Sequence, residues 1–271
     1  MLRVKPIEVE PNKREFLELW QAGIDKKSTH VERRGEADRI WPGKRASTTF
    51  KNTIGKALAD MVTPHGRCMF CEDNATAEVE HFWPRALFPR LTFEWLNFLY
   101  ACGPCNKKKG DRFPIVSDTG ALEALEKNDV EPHFGRPGWL NPRHEDPMVF
   151  LKLDLVGETF EFGYIHKKGT VEYLRAQWTV KELGLNERGL PRYRETAYGD
   201  YVLRLKEYVG LRGAGKSRAE LSRQERGIAR RGHLTVFREI QRQWQNVPEL
   251  KPLFQTVPEM QHPDFPKLDE V

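Results

Sequence analysis

The sequence predicts an α+β protein in which two short strands and a helix surround a cation, with longer helices on either side. Three observations lead there. Four cysteines form two C-x-x-C pairs, Cys68 with Cys71 and Cys102 with Cys105, and thirty residues separate the pairs. Short strand-like runs inside that frame carry polar residues at their ends. Outside it, apolar residues recur every three or four positions, the spacing of amphipathic helices.

Taken in order, residues 12–26 predict a helix with Asn12 as its cap and Phe16, Leu19, Trp20 and Ile24 on one face. The stretch 28–46 is polar and holds Pro42 and Gly43, which predicts a loop. Helical spacing resumes over 48–62 through Phe50, Ile54, Leu58 and Met61. Residues 75–83 predict a strand that delivers Glu80 and His81, and Pro84 and Pro89 break the loop after it. Leu96 to Ala101 predict a second strand, and the second cysteine pair opens a short helix carrying Asn106 and Lys109. Further on, 149–154 and 159–163 flank Gly157 and predict a β-hairpin. Helices are expected over 170–183, closed by Gly184, and over 190–208, where Leu190, Tyr193, Ala197, Tyr201, Leu205 and Tyr208 form a stripe. Two more are expected over 218–231 and 234–245, before a proline-rich, irregular tail at 246–271. The expected organisation is a helical segment (1–62), a core (63–115), a hairpin with a basic helical region (116–245) and the tail.

The chain has 271 residues, enough for one large domain or two small ones. With 39% hydrophobic residues it can build a core, and with 31% charged residues it is suited to water. No run approaches ~18 uncharged apolar residues, so no membrane span is expected. The N-terminus lacks the apolar stretch of a signal peptide, which points to a reducing cytoplasm. There, paired C-x-x-C motifs are read as a metal site before disulfides. Charge is uneven: Arg188 to Arg242 holds 14 Lys/Arg against 6 Asp/Glu, although the whole chain is only +5. Arginines of this block, among them Arg223, Arg226, Arg230 and Arg231, are expected phosphate contacts, and so is Arg85.

Four thiols at this spacing suit one tetrahedral zinc, with an iron–sulfur cluster as the other thiolate-bound option. Glu80 and Asn106 offer oxygen ligands for a hard cation such as Mg2+ or Mn2+. His81 beside them is a candidate general base for metal-assisted hydrolysis near neutral pH.

The run Cys68-Met-Phe-Cys71, Glu80-His81-Phe-Trp-Pro84, Asn97, Cys102-Gly-Pro-Cys105-Asn106-Lys-Lys-Lys109 resembles the HNH endonuclease family over about 45 residues. That resemblance implies a ββα-metal nuclease core stapled by the four-cysteine zinc. It implies His81 as general base, Glu80 and Asn106 as holders of the catalytic cation, Asn97 as stiffener of the inter-strand loop, and Lys109 near the phosphate. Glu80 stands where the family often has Asp or His. Phe93-Glu-Trp95-Leu-Asn97, Trp139-Leu-Asn141-Pro142 and Leu183-Gly-Leu-Asn186-Glu-Arg188 are similar to the HNH nuclease of Septu-type antiphage systems, also found with some retrons. This narrower likeness implies a defence role and a partner ATPase that licenses cleavage, and DNA is the expected substrate. The metal chemistry would serve RNA equally, and a non-catalytic zinc module that binds nucleic acid or a protein is the competing class. Gly210 to Ser217 satisfies the phosphate-loop pattern G-x-x-x-x-G-K-S, but no apolar strand precedes it. A turn with Ser217 capping the next helix is expected instead.

Overall fold

Helix α1 (Pro11–Asp25) begins on a proline, whose missing N–H would have no partner at that position, so Asn12 lies inside the first turn. It buries Leu17 and Ile24, and Phe16 and Trp20 pack beside them. The computed structural model describes residues 1–62, 66–73 and 78–266.

The expected loop over 28–46 is instead a helix, α2 (His30–Ala46). Thr29 and Glu32 form a capping box at its start, a local signal worth about 0.5–2 kcal/mol. Pro42 lies inside the helix, one turn before its end, where it removes one bond of the hydrogen-bond ladder without ending the helix. Ala37 and Trp41 supply the buried face. Ser47 caps the next segment, which runs as α3 (Thr48–Phe50), a π turn (Lys51–Gly55) and α4 (Lys56–Met61). Phe50, Ile54, Leu58 and Met61 are all buried, as their spacing predicts.

Strands β1 (Glu78–His81) and β2 (Phe98–Ala101) pair antiparallel, with Glu80 opposite Leu99 and His81 opposite Phe98. Of the strand expected from 75, residues 75–77 lie outside the described residues. Helix α5 (Gly103–Lys109) follows directly and stops at Gly110, whose φ is +49°. A second small hairpin, β3 (Pro114–Val116) with β4 (Leu122–Ala124), was not signalled by the sequence. The expected hairpin after it is β5 (Leu151–Leu153) with β6 (Phe162–Tyr164).

Helix α6 (Val171–Leu183) is capped by Thr170 and closed by Gly184 in the left-handed conformation. Helix α7 (Leu190–Gly213) outruns the expected end and buries Leu190, Tyr201, Leu205 and Tyr208, while Tyr193 faces solvent. The glycine-rich run is a turn at Gly215, and Ser217 and Glu220 form a capping box on α8 (Arg218–Ala229). Helix α9 (Leu234–Gln243) completes this region.

The tail is not irregular. It contains α10 (Lys251–Thr256), and Leu250, Leu253, Phe254, Val257 and Met260 are buried. Their spacing is helical, and Pro252 and Pro258 sit at the starts of helical turns, where proline fits. Trp244 stacks on Phe254 with centroids 5.6 Å apart. Helices thus dominate, and the strands form three separate two-stranded sheets among the described residues. One apolar cluster runs from α1 through β1, β2 and α5 to α10.

Candidate metal centre and hydrolytic site

The four cysteine sulfurs lie within 4.8 Å of one another, and all four residues are buried. None is in a disulfide. The Cys71 and Cys102 sulfurs are 3.6 Å apart. A tetrahedron with metal–sulfur bonds of ~2.3 Å has edges of about 3.8 Å, so the donor set fits a metal such as zinc. Hydrogen bonding with Cys102 pushes the Cys71 and Cys105 thiols up, and hydrogen bonding with Cys105 pushes Cys102 down. Four thiolates within 4.8 Å of one another repel, so holding all four deprotonated takes a cation among them. The first pair precedes β1, and the second spans the end of β2 and the first turn of α5, so the centre staples the hairpin to its helix.

Strand alternation sends Glu80 and His81 to opposite faces. On one face, Lys109 of α5 is fully buried and donates to Glu80 Oε1 and to the His81 carbonyl, each at 2.7 Å. Burial holds the Glu80 carboxyl above its usual range, and Lys109 opposes that shift. Lys109, expected beside a phosphate, is turned inward in this structure. Asn106, expected to share a cation with Glu80, donates instead to Glu78 Oε2 at 2.5 Å. Glu78 escaped the sequence reading, although its position two residues before Glu80 puts it on the same strand face.

On the other face, the His81 ring is 3% exposed. It lies 4.3 Å from the Trp41 ring of α2 and 5.5 Å from Phe98. Its Nε2 is 2.9 Å from the Thr92 carbonyl. Only a protonated nitrogen can donate there, which assigns the hydrogen to Nε2 and leaves Nδ1 as the acceptor. Burial pushes the imidazole down to about 3, so it is neutral at physiological pH. Neither Trp41 nor Thr92 stands out in the sequence, because each acts from a separate segment.

Asn97 clips the loop between the strands. Its side chain donates to the Trp83 and Leu91 carbonyls and accepts from the Trp83 N–H, at 2.7–3.0 Å. Phe93 and Trp95 are core residues, and Arg143 lies over the Trp95 ring while donating to the Trp95 and Phe98 carbonyls. Arg85 pairs with Asp38 of α2 at 3.1 Å, fastening the loop to that helix.

Much of the basic block is engaged within the protein. Arg194 is buried against the Phe160 and Leu185 carbonyls, Arg231 pairs with Asp200, Arg212 with Glu259 and Arg242 with Glu239. Arg223 and Arg230 are exposed. Closer to the hairpin, exposed Arg45, Lys51 and Lys56 line a cleft of about 620 Å³ together with Glu78, Val79 and Tyr100.

Among known proteins, the chain is similar to Septu protein PtuB of Bacillus thuringiensis. The two are 36% identical over 78 residues, which cover 26% of this chain and 30% of that protein. The match thus spans under a third of the length of that relative. No protein-family model and no solved structure matches the chain. No helix among the described residues is long and apolar enough to cross a membrane.

Proposed function

We propose that this protein is a divalent-metal-dependent endonuclease of the HNH type, cleaving DNA in antiphage defence together with a partner ATPase. The observation that carries this reading is the strand–strand–helix unit around the four cysteines, with His81 and Asn106 on it. The similarity to Septu protein PtuB supports the defence role and the existence of a partner. The four cysteines are the structural zinc site. Asn106, with Glu80 or its neighbour Glu78, would hold the Mg2+ or Mn2+, whose charge would stabilise the developing negative charge on a phosphate.

The chain's own groups have definite tasks in that chemistry. His81 is held in one tautomer by Thr92, so once the ring is uncovered Nδ1 is the nitrogen that would take a proton from the attacking water. The Glu80–Lys109 pair fixes the strand that carries it. Arg45 and Lys51 offer positive charge to a nucleic-acid backbone beside Glu78. Trp41 and Phe98 seal the His81 ring in the chain alone. That cover fits an enzyme at rest until a partner shifts α2.

The test is purified chain with plasmid DNA and with RNA, in Mg2+ or Mn2+, alone and with a candidate ATPase. Cleavage by wild type, with a loss of about 10²–10⁴-fold in His81→Ala, is expected. Equal cleavage by both proteins would remove His81 as the base and the main support for this reading.

A further inference from the structure

The turn Leu183-Gly-Leu-Asn186-Glu-Arg188 joins α6 to α7, and the proposed chemistry uses none of it. Its residues nevertheless reach several parts of the molecule. Gly184 has φ +61°, the left-handed conformation that favours glycine, and it lies against the Lys108 side chain of α5. The Asn186 side chain accepts from the Phe162 N–H at 2.8 Å and donates to the Phe162 carbonyl at 3.0 Å, tying the turn to β6. Glu187 pairs with Lys108 at 2.7 Å.

Arg188 is the residue that meets the cysteines. Its Nη2 donates to the Leu183 carbonyl at 3.0 Å and to the Cys105 sulfur at 3.5 Å. Its backbone has φ +58°, a conformation a residue with a side chain adopts at a cost of about 1–3 kcal/mol. Such a cost persists only where the surroundings enforce it. Here the left-handed turn is what carries the guanidinium back to the sulfur. A divalent ion among four thiolates leaves a net charge of −2 in a buried place, and an arginine on one sulfur offsets part of it.

We propose that Arg188 belongs to the metal centre, where its guanidinium offsets part of the charge of the four-thiolate group. This rests on metal occupancy of the cysteine site and is independent of the hydrolytic chemistry. The experiment measures zinc affinity of the full chain by chelator competition for wild type, Arg188→Met, Arg188→Lys and Glu187→Gln. Arg188→Met is expected to bind zinc 10–100-fold more weakly, as loss of a group supporting a ligand does. Arg188→Lys keeps the charge and should retain most of the affinity. Glu187→Gln loosens the same turn without touching a sulfur and should bind as wild type. In cobalt-loaded protein, the thiolate-to-cobalt absorption should shift in Arg188→Met, and in Arg188→Lys if the Met variant does not fold. Equal zinc affinity of wild type and Arg188→Met overturns the proposal. So does an equal loss in Glu187→Gln, which would assign the effect to packing of the turn. Wild type that takes up neither zinc nor cobalt overturns the metal centre together with the role of Arg188. Loss of cleavage with zinc retained would bear only on the nuclease reading.

Discussion

Replacing Lys109 by Met should destabilise the protein strongly, and in a way that depends on pH. Lys109 is fully buried and holds the Glu80 carboxylate and the His81 carbonyl, both at 2.7 Å. Methionine fills the volume but leaves the carboxylate, itself 8% exposed, without a counter-charge. Removing one member of a buried ion pair costs about 3–5 kcal/mol, a large share of a domain stability of about 5–15 kcal/mol. Burial already holds the Glu80 carboxyl above its usual range, and without Lys109 it rises further. The folded variant then keeps a proton that the unfolded chain, with a carboxyl near ~4.3, has released. Its stability therefore falls as pH rises above about 4 and stays low above the folded value. Urea unfolding of zinc-replete protein at pH 5 and pH 8 reads this directly. A gap to wild type of about 3–5 kcal/mol at pH 8, narrower at pH 5, is expected, and Glu80→Gln in the same chain should recover part of it. A loss below about 1 kcal/mol at pH 8, or a gap that widens in acid, would refute the reasoning.

Three further outcomes follow from other parts of the site. Cys102→Ser should remove the metal and lower the unfolding midpoint of the whole chain, because a four-thiolate site contributes folding energy directly; elemental analysis and thermal melts check it. The His81 imidazole, held at about 3 against ~6.5 unfolded, gives stability that is complete above pH 6.5 and is lost as pH falls. The part due to His81 between pH 7 and pH 5 is roughly 2 kcal/mol, so His81→Phe should flatten the acid side of the stability profile by that amount. Arg45→Gln with Lys51→Gln should weaken DNA binding and lower its salt slope by about 2, while Arg223→Gln with Arg230→Gln changes it less; filter binding at several salt concentrations separates them.

The parts of this fold visible in the sequence are those decided locally. Phe50, Ile54, Leu58 and Met61 share a face at any tertiary context, and the two cysteine pairs announce a donor set that could hold a metal by spacing alone. Pro42 misled because tertiary packing, here of the buried Ala37 and Trp41, can hold a helix across an interior proline, and the capping box at Thr29 and Glu32 marks the helix start. The tail misled for a different reason: Pro252 and Pro258 begin helical turns, where proline fits. Partnerships at the site were harder to see. Nothing in the spacing of Glu80, Asn106 and Lys109 says which of them faces inward, and that depends on how α5 lies on β1. The ring of Trp41 on His81 and the bond from Thr92 join separate stretches of chain, so no local pattern contains them.

The contact between Arg188 and Cys105 spans 83 residues, and this has a consequence during synthesis. At about 5–20 residues per second, roughly 4–17 s pass between emergence of the last cysteine and emergence of the arginine. During that interval both cysteine pairs are outside the ribosome while the arginine that meets Cys105 has yet to emerge. The order of translation therefore lets metal capture come first and the closing of the α6–α7 turn over it come second.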